Sequence, residues 1–177
     1  MTMDVVQLQR KLREHQAAMF QQTLGLQVVM LFWGKCLICC FLLAGRKGFL
    51  DDQFSQLQKL QDESTPDFVI EVITMFFDDS ENLLKNMARC LEQVPADFKQ
   101  IDAHAHQYKG SSASIGAARV KNVCATFRAF CEAKNQEGCM RCLSQLQQEY
   151  SLLKNALQYL FSLQQQIKAA GGSIPTQ

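Results

Sequence analysis

The residues best suited to chemistry lie in one run, His104-Ala105-His106-Gln107-Tyr108-Lys109-Gly110-Ser111-Ser112, continuing as Ala113-Ser114-Ile115-Gly116-Ala117. At about 100° per residue the run reads as a helix. With His106 at the zero of the wheel, Ile101, His104, Tyr108, Ser111 and Ile115 fall within about 40° of the opposite side. Their spacing of three, four, three, four is that of a buried seam. Lys99, Asp102, Ala103, Lys109, Gly110 and Ala113 gather around His106, which is therefore expected to face outward in a small basic patch with little side-chain bulk.

A neutral imidazole nitrogen is a nucleophile near neutral pH. A phosphoryl group placed on His106 finds the Lys109 ammonium within one helical turn. Gly110, one turn past His106, costs about 1 kcal/mol relative to Ala in a helix interior. That cost is accepted where something must approach the backbone closely. No second carboxylate, general base or metal-ligand cluster accompanies the imidazole in the sequence, so a partner protein must complete the reaction. Taken alone, an outward histidine is ordinarily just a surface residue; its combination with Lys109, Gly110 and the following serines is what carries weight.

The run His106-Gln107-Tyr108-Lys109-Gly110-Ser111-Ser112 with Ser114-Ile115-Gly116-Ala117 resembles the signature of histidine-containing phosphotransfer (HPt) proteins. The plant form, which shuttles phosphoryl groups in cytokinin-type phosphorelays, is the nearer match. Met3-Asp4-Val5-Val6-Gln7-Leu8, Gly48-Phe49-Leu50-Asp51-Asp52-Gln53-Phe54, Leu60-Gln61-Asp62-Glu63-Ser64, Pro66-Asp67-Phe68-Val69 and Phe76-Phe77-Asp78-Asp79-Ser80 also look like that family. The resemblance implies an antiparallel four-helix bundle with His106 as phosphoacceptor. Lys109 and Gly110 would stabilise the phosphoryl group and leave the approach open, and Gln107 would help orient it. It implies receiver domains of hybrid sensor kinases and response regulators as partners. It implies no cofactor of the chain's own, with Mg²⁺ supplied by the receiver, and a cytoplasmic and nuclear location. Relatives lacking the acceptor histidine act as inhibitors, and His106 argues against that role. Ala113 stands where many relatives carry Ser.

The positioning elements are all helical by pattern. Few prolines and glycines among many Gln, Leu, Lys and Glu point to an all-α chain. Residues 3 to 22 read as an amphipathic helix with Val5, Leu8, Leu12, Met19 and Phe20 on its apolar stripe and His15 exposed. A short helix carries Phe49, Leu50, Phe54, Leu57 and Leu60. A long one is expected from Pro66, capped by Thr65, to about Glu92. On it, Asp78, Asp79, Glu81 and Lys85 form a solvated face rather than a metal site. Pro95 is expected to open the His106 helix, and Gly116 to end it. A further helix covers about 117 to 134, residues Asn135 to Gly138 turn, and the last helix runs from 139 to 169. Four long helices with short connections give an antiparallel four-helix bundle flanked by the two N-terminal helices.

One segment stands apart. Leu24 to Ala44 is apolar except for Gln27, Lys35 and small interruptions, about the length of a membrane span. Lys35 near its centre costs about 2.5 to 3.5 kcal/mol on insertion scales, and Arg46 and Lys47 flank it as a cytoplasmic anchor would. The family pattern passes from the first helix to Gly48-Phe49-Leu50-Asp51 without such an insert, so the run reads as an additional translated piece, of the kind an alternative transcript or a gene-model error supplies. The organisation expected is a helix at 1–23, the hydrophobic insert at 24–47, the bundle at 48–170 and a flexible tail at 171–177. The competing class is a membrane-tethered helical adaptor organised by residues 24–44. Absent a working insert, no membrane partner is expected.

A net charge of +1 gives no reason to expect nucleic acid. Cys36-x-x-Cys39 and Cys139-x-x-Cys142 superficially suggest zinc. The pairs are far apart, no histidine lies at ligand spacing, and the second sits in a helical pattern where Cys is a small buried hydrophobe. Reduced thiols and no metal site are expected.

Overall fold

The structure, a computed structural model, describes residues 4–20, 48–62 and 64–172. Among these residues it is all-α. Six helices follow in order: α1 (Val5–Phe20), α2 (Asp52–Lys59), α3 (Phe68–Glu92), α4 (Phe98–Ser114), α5 (Ala118–Glu132) and α6 (Gln136–Ala169). Helix α4 packs on α3 and α5, and α6 closes the ring by packing on both α5 and α3, which is the four-helix bundle expected. At about 1.5 Å per residue, the 34-residue α6 outruns the 15-residue α5 by more than 25 Å. Helix α1 lies against that overhang, and α2 sits at the C-terminal end of α4.

The starts of α2, α4 and α6 are set by side-chain caps, and several helix starts differ from the sequence expectation. Asp97, not Pro95, caps α4: its carboxylate accepts from the Gln100 amide at 3.1 Å, while Pro95 lies outside the helix in an exposed turn after a cis Val94–Pro95 bond. Thr65 does not cap α3. Its amide and hydroxyl, with those of Ser64, turn onto the Asp62 carboxylate, and the open Val69 amide of α3 donates to the Gln61 side chain at 3.2 Å. Helix α3 accordingly begins at Phe68, two residues past Pro66. Asn135 is the cap of α6, accepting from the Gly138 amide at 2.9 Å, so the helix starts at Gln136 rather than at residue 139.

Two features tie the flanking helices to the bundle. Asp51 caps α2 through the Gln53 amide, accepts from Lys121 Nζ of α5 at 2.9 Å, and donates its own amide to the Gly116 carbonyl at 2.9 Å. Gly116 itself has φ +77°, and a Cβ there would stand 2.6 Å from the Phe54 amide nitrogen. It is glycine for both reasons: left-handed backbone and contact with α2. His15 is not an ordinary exposed residue, because half-buried, its Nε2 lies 2.9 Å from the Ala156 carbonyl and its ring stands edge-on to Tyr159.

Inside the bundle, Arg119 of α5 and Glu149 of α6 form an ion pair at 2.6 Å with both side chains buried, and the Arg119 guanidinium lies 4.2 Å from the centre of the Phe49 ring. Breaking such a pair from one side costs about 3 to 5 kcal/mol, because the other charge stays buried.

The Leu50 amide donates to the Met19 carbonyl at 3.3 Å, so the chain leaves α1 and returns to it at the same place. The apolar run 24–44 and the tail beyond Gly172 lie outside the described residues. Among those described, no helix is long and apolar enough to cross a membrane.

Candidate functional site

Helix α4 turns its inner side to the bundle through Ile101, Ala105, Tyr108, Ser112 and Ile115, all buried. This seam lies about 40° from the one the apolar spacing suggests. His104 and Ser111 are half-buried on its flank instead of within it, and the small residues Ala105 and Ser112 take the inner positions. Ser111 bonds locally, its hydroxyl donating to the Tyr108 carbonyl at 3.2 Å. Tyr108 anchors the helix: its ring packs 6.1 Å from that of Phe76 on α3, and burial raises its phenol well above the ordinary range, opposed only in part by the Ser80 hydroxyl.

His106 emerges on the outer face, exposed, about 140° from the seam toward α5. Lys109 shares that flank and is half-buried, close enough to α5 for its charge to act on Cys124. Gly110 is exposed, and a Cβ built on it meets nothing within 4 Å. The position one turn past His106 is thus uncrowded. Gln107 is exposed about 100° away, on the side remote from Lys109, and nothing in the structure ties it to His106.

Asp102, one turn before His106, is bound by Arg128 of α5 in a two-pronged pair, Nε to Oδ1 at 2.8 Å and Nη2 to Oδ2 at 3.2 Å. Asp102 belongs to the patch that the helical wheel draws around His106, whereas Arg128 lies on another helix with no local signal in the sequence to join it to the motif. The described cysteines Cys90, Cys124, Cys131, Cys139 and Cys142 are buried free thiols. Burial pushes Cys124 up to about 12 and Cys131 higher still, which makes them poor nucleophiles and poor ligands. Among the described residues no three His, Cys, Asp or Glu side chains are grouped to hold a metal ion.

An exposed histidine on a helical bundle, with a lysine three residues on and an open glycine four residues on, fits a surface that passes a small group between proteins. The model of the Hpt domain matches residues 71–156, which carry α4 and His106. Histidine-containing phosphotransfer protein 1 of Arabidopsis thaliana is 59% identical over 129 residues, covering 73% of this chain and 84% of the relative. The chain belongs to the histidine-containing phosphotransfer family. Histidine-containing phosphotransfer protein 5 of the same plant is 47% identical over 175 residues, 98% of this chain and 96% of that one. The crystal structure of a histidine-containing phosphotransfer protein from Medicago truncatula superposes with a TM-score of 0.76 at 68% identity, covering 94% of this chain and 96% of that one. As an HPt protein the chain is a histidine phosphotransfer intermediate of a phosphorelay, built on the family's helical bundle.

Proposed function

We propose that His106 is the phosphoacceptor. It takes a phosphoryl group from the receiver aspartate of a hybrid sensor kinase and gives it to the aspartate of a response-regulator receiver, in a cytokinin-type relay. The observation that carries this reading is the exposure of His106 between Lys109 and the unobstructed backbone at Gly110. The neutral imidazole, by analogy through Nε2, attacks phosphorus in line. The P–N bond forms as the acyl-phosphate P–O bond breaks, and the aspartate leaves as a carboxylate. The reverse sequence hands the group on. Positioning and charge stabilisation dominate such transfers.

Lys109 supplies the positive charge nearest in sequence, while Mg²⁺ held by the receiver neutralises the phosphoryl oxygens from the partner's side. Gln107 has at most an accessory part, at the docking rim. On this reading the chain is a carrier that turns over only with receivers, and it works in both cytoplasm and nucleus. The test is transfer from a phosphorylated receiver domain. The chain should become labelled with acid-labile, alkali-stable phosphate, and His106→Gln should abolish labelling with unchanged melting. Undiminished labelling of His106→Gln would refute it.

A further inference from the structure

The charges around His106 do not all favour a phosphoryl group. Asp102 stands four residues before it on the same outer flank of α4, where side chains at that spacing are neighbours, about 5 to 6 Å apart at Cβ. A phosphohistidine is an anion, and an uncompensated carboxylate one turn away opposes both the arrival of the group and its residence. Arg128 reaches across from α5 and binds both oxygens of that carboxylate, at 2.8 and 3.2 Å. The two side chains are 29% and 31% exposed, so the pair lies at the rim of the groove between α4 and α5, in partial contact with solvent. A single pair in partial contact with solvent contributes only modestly to folding, so the bundle should fold without it. Its two-pronged geometry nevertheless turns both carboxylate oxygens toward α5, the fork-to-fork arrangement in which Arg is not replaceable by a point charge at equal strength.

We propose that Arg128 is a positioning residue for phosphotransfer: it neutralises Asp102 and holds that carboxylate against α5, leaving Lys109 as the charge that the phosphoryl group on His106 meets. The proposal rests on His106 being the acceptor. Glu132, one turn on in α5, also lies within range of Arg128, so removal of the guanidinium takes the shared cation from two carboxylates on that flank.

The experiment compares initial rates of transfer from one phosphorylated receiver domain to wild type, Arg128→Ala, Arg128→Lys, Asp102→Asn and the double variant Arg128→Ala/Asp102→Asn, with His106→Gln as the blank. Arg128→Ala should transfer about fivefold more slowly at low salt, with a smaller deficit at 0.5 M salt, where a charge effect at an exposed site is screened. Arg128→Lys, which keeps the charge but not the fork, should recover part of the rate. Asp102→Asn alone should match or exceed wild type. The double variant should return to near the wild-type rate, because the offending charge is gone even though the pair is still absent. A double variant as slow as Arg128→Ala would overturn the proposal by showing that Arg128 acts on the phosphoryl group or the receiver directly. Asp102→Asn as slow as Arg128→Ala would overturn it by showing that the pair works only by joining two helices. Wild-type transfer by Arg128→Ala would overturn it as well, while labelling of wild type and not of His106→Gln would leave the acceptor assignment standing. Absence of labelling in wild type would instead sink the acceptor reading itself.

Discussion

Gly110 can be tested as an open approach by filling it. A Cβ at this position meets no atom within 4 Å, so neither Ala nor Gln creates a clash within the fold. Replacing a mid-helix Gly by Ala stabilises by about 1 kcal/mol. For a chain of this size that raises the melting temperature by about 2 to 4 °C. Gln should gain slightly less. The kinetic effect runs the other way. Gly110 lies one turn past His106 and about 40° round the helix. Helical side chains lean toward the N-terminus, so a Gln here covers the turn that carries His106. To admit a receiver, that side chain must be confined to the rotamers that point away. The entropy of confining a Gln is about 1.5 to 2 kcal/mol, roughly a ten- to thirty-fold slowing. Ala has no rotamers to lose and should transfer within about threefold of wild type. The assay is the initial transfer rate from a phosphorylated receiver domain, paired with thermal melting of each variant. A folded, stabilised Gly110→Gln protein that accepts phosphate at the wild-type rate would refute the reasoning. So would an Ala variant as slow as Gln, since bulk would then not be the cause.

Other consequences follow from the packing. Gly116→Ala should lower stability by more than about 2 kcal/mol, because it places a Cβ 2.6 Å from the Phe54 amide nitrogen at φ +77°; an unchanged urea midpoint would contradict the close approach. Deletion of residues 24–47 should leave melting and transfer intact, because Met19 and Leu50 are already joined by a main-chain hydrogen bond of 3.3 Å; a folded deletion protein that cannot transfer would show the segment to be needed. Stability should fall as pH rises above 9. Cys124 ionises near its ordinary value of 9.0 when unfolded but only at about 12 when folded, so the unfolded chain loses the proton first, and the stabilisation present below pH 9 disappears between those values. Urea midpoints measured at pH 7, 9 and 10.5 should decline in that order, and a flat series would contradict the burial of the thiol.

The helices and the outward face of His106 were legible because both rest on local signals: apolar periodicity, and a motif contiguous in the chain. The inner seam of α4 was misplaced by about 40° because hydrophobicity marks only Ile101, Tyr108 and Ile115. The residues that complete it, Ala105 and Ser112, are small and carry no apolar signal, though it is small size that suits them to close helix contact. Two helix starts differ because a capping side chain decides them: Asp97 outranks Pro95, and Asn135 opens α6 where its own segment reads as a turn, each accepting an otherwise open amide. Pairings between helices left no trace in the sequence. Arg128 with Asp102, Arg119 with Glu149 and His15 with the Ala156 carbonyl each join positions 26 or more residues apart.

Whether the phosphoryl group rides on His106 is decided by mapping it. The chain is phosphorylated by a receiver domain, quenched in alkali, digested, and sequenced by mass spectrometry under conditions that preserve phosphohistidine. The peptide spanning Lys99 to Lys109 holds both His104 and His106. Phosphate is expected on His106, with His104→Gln still labelled and at most modestly destabilised because that side chain is only half-buried. Phosphate on His104 or on His15, or loss of labelling in a folded His104→Gln protein, would contradict it.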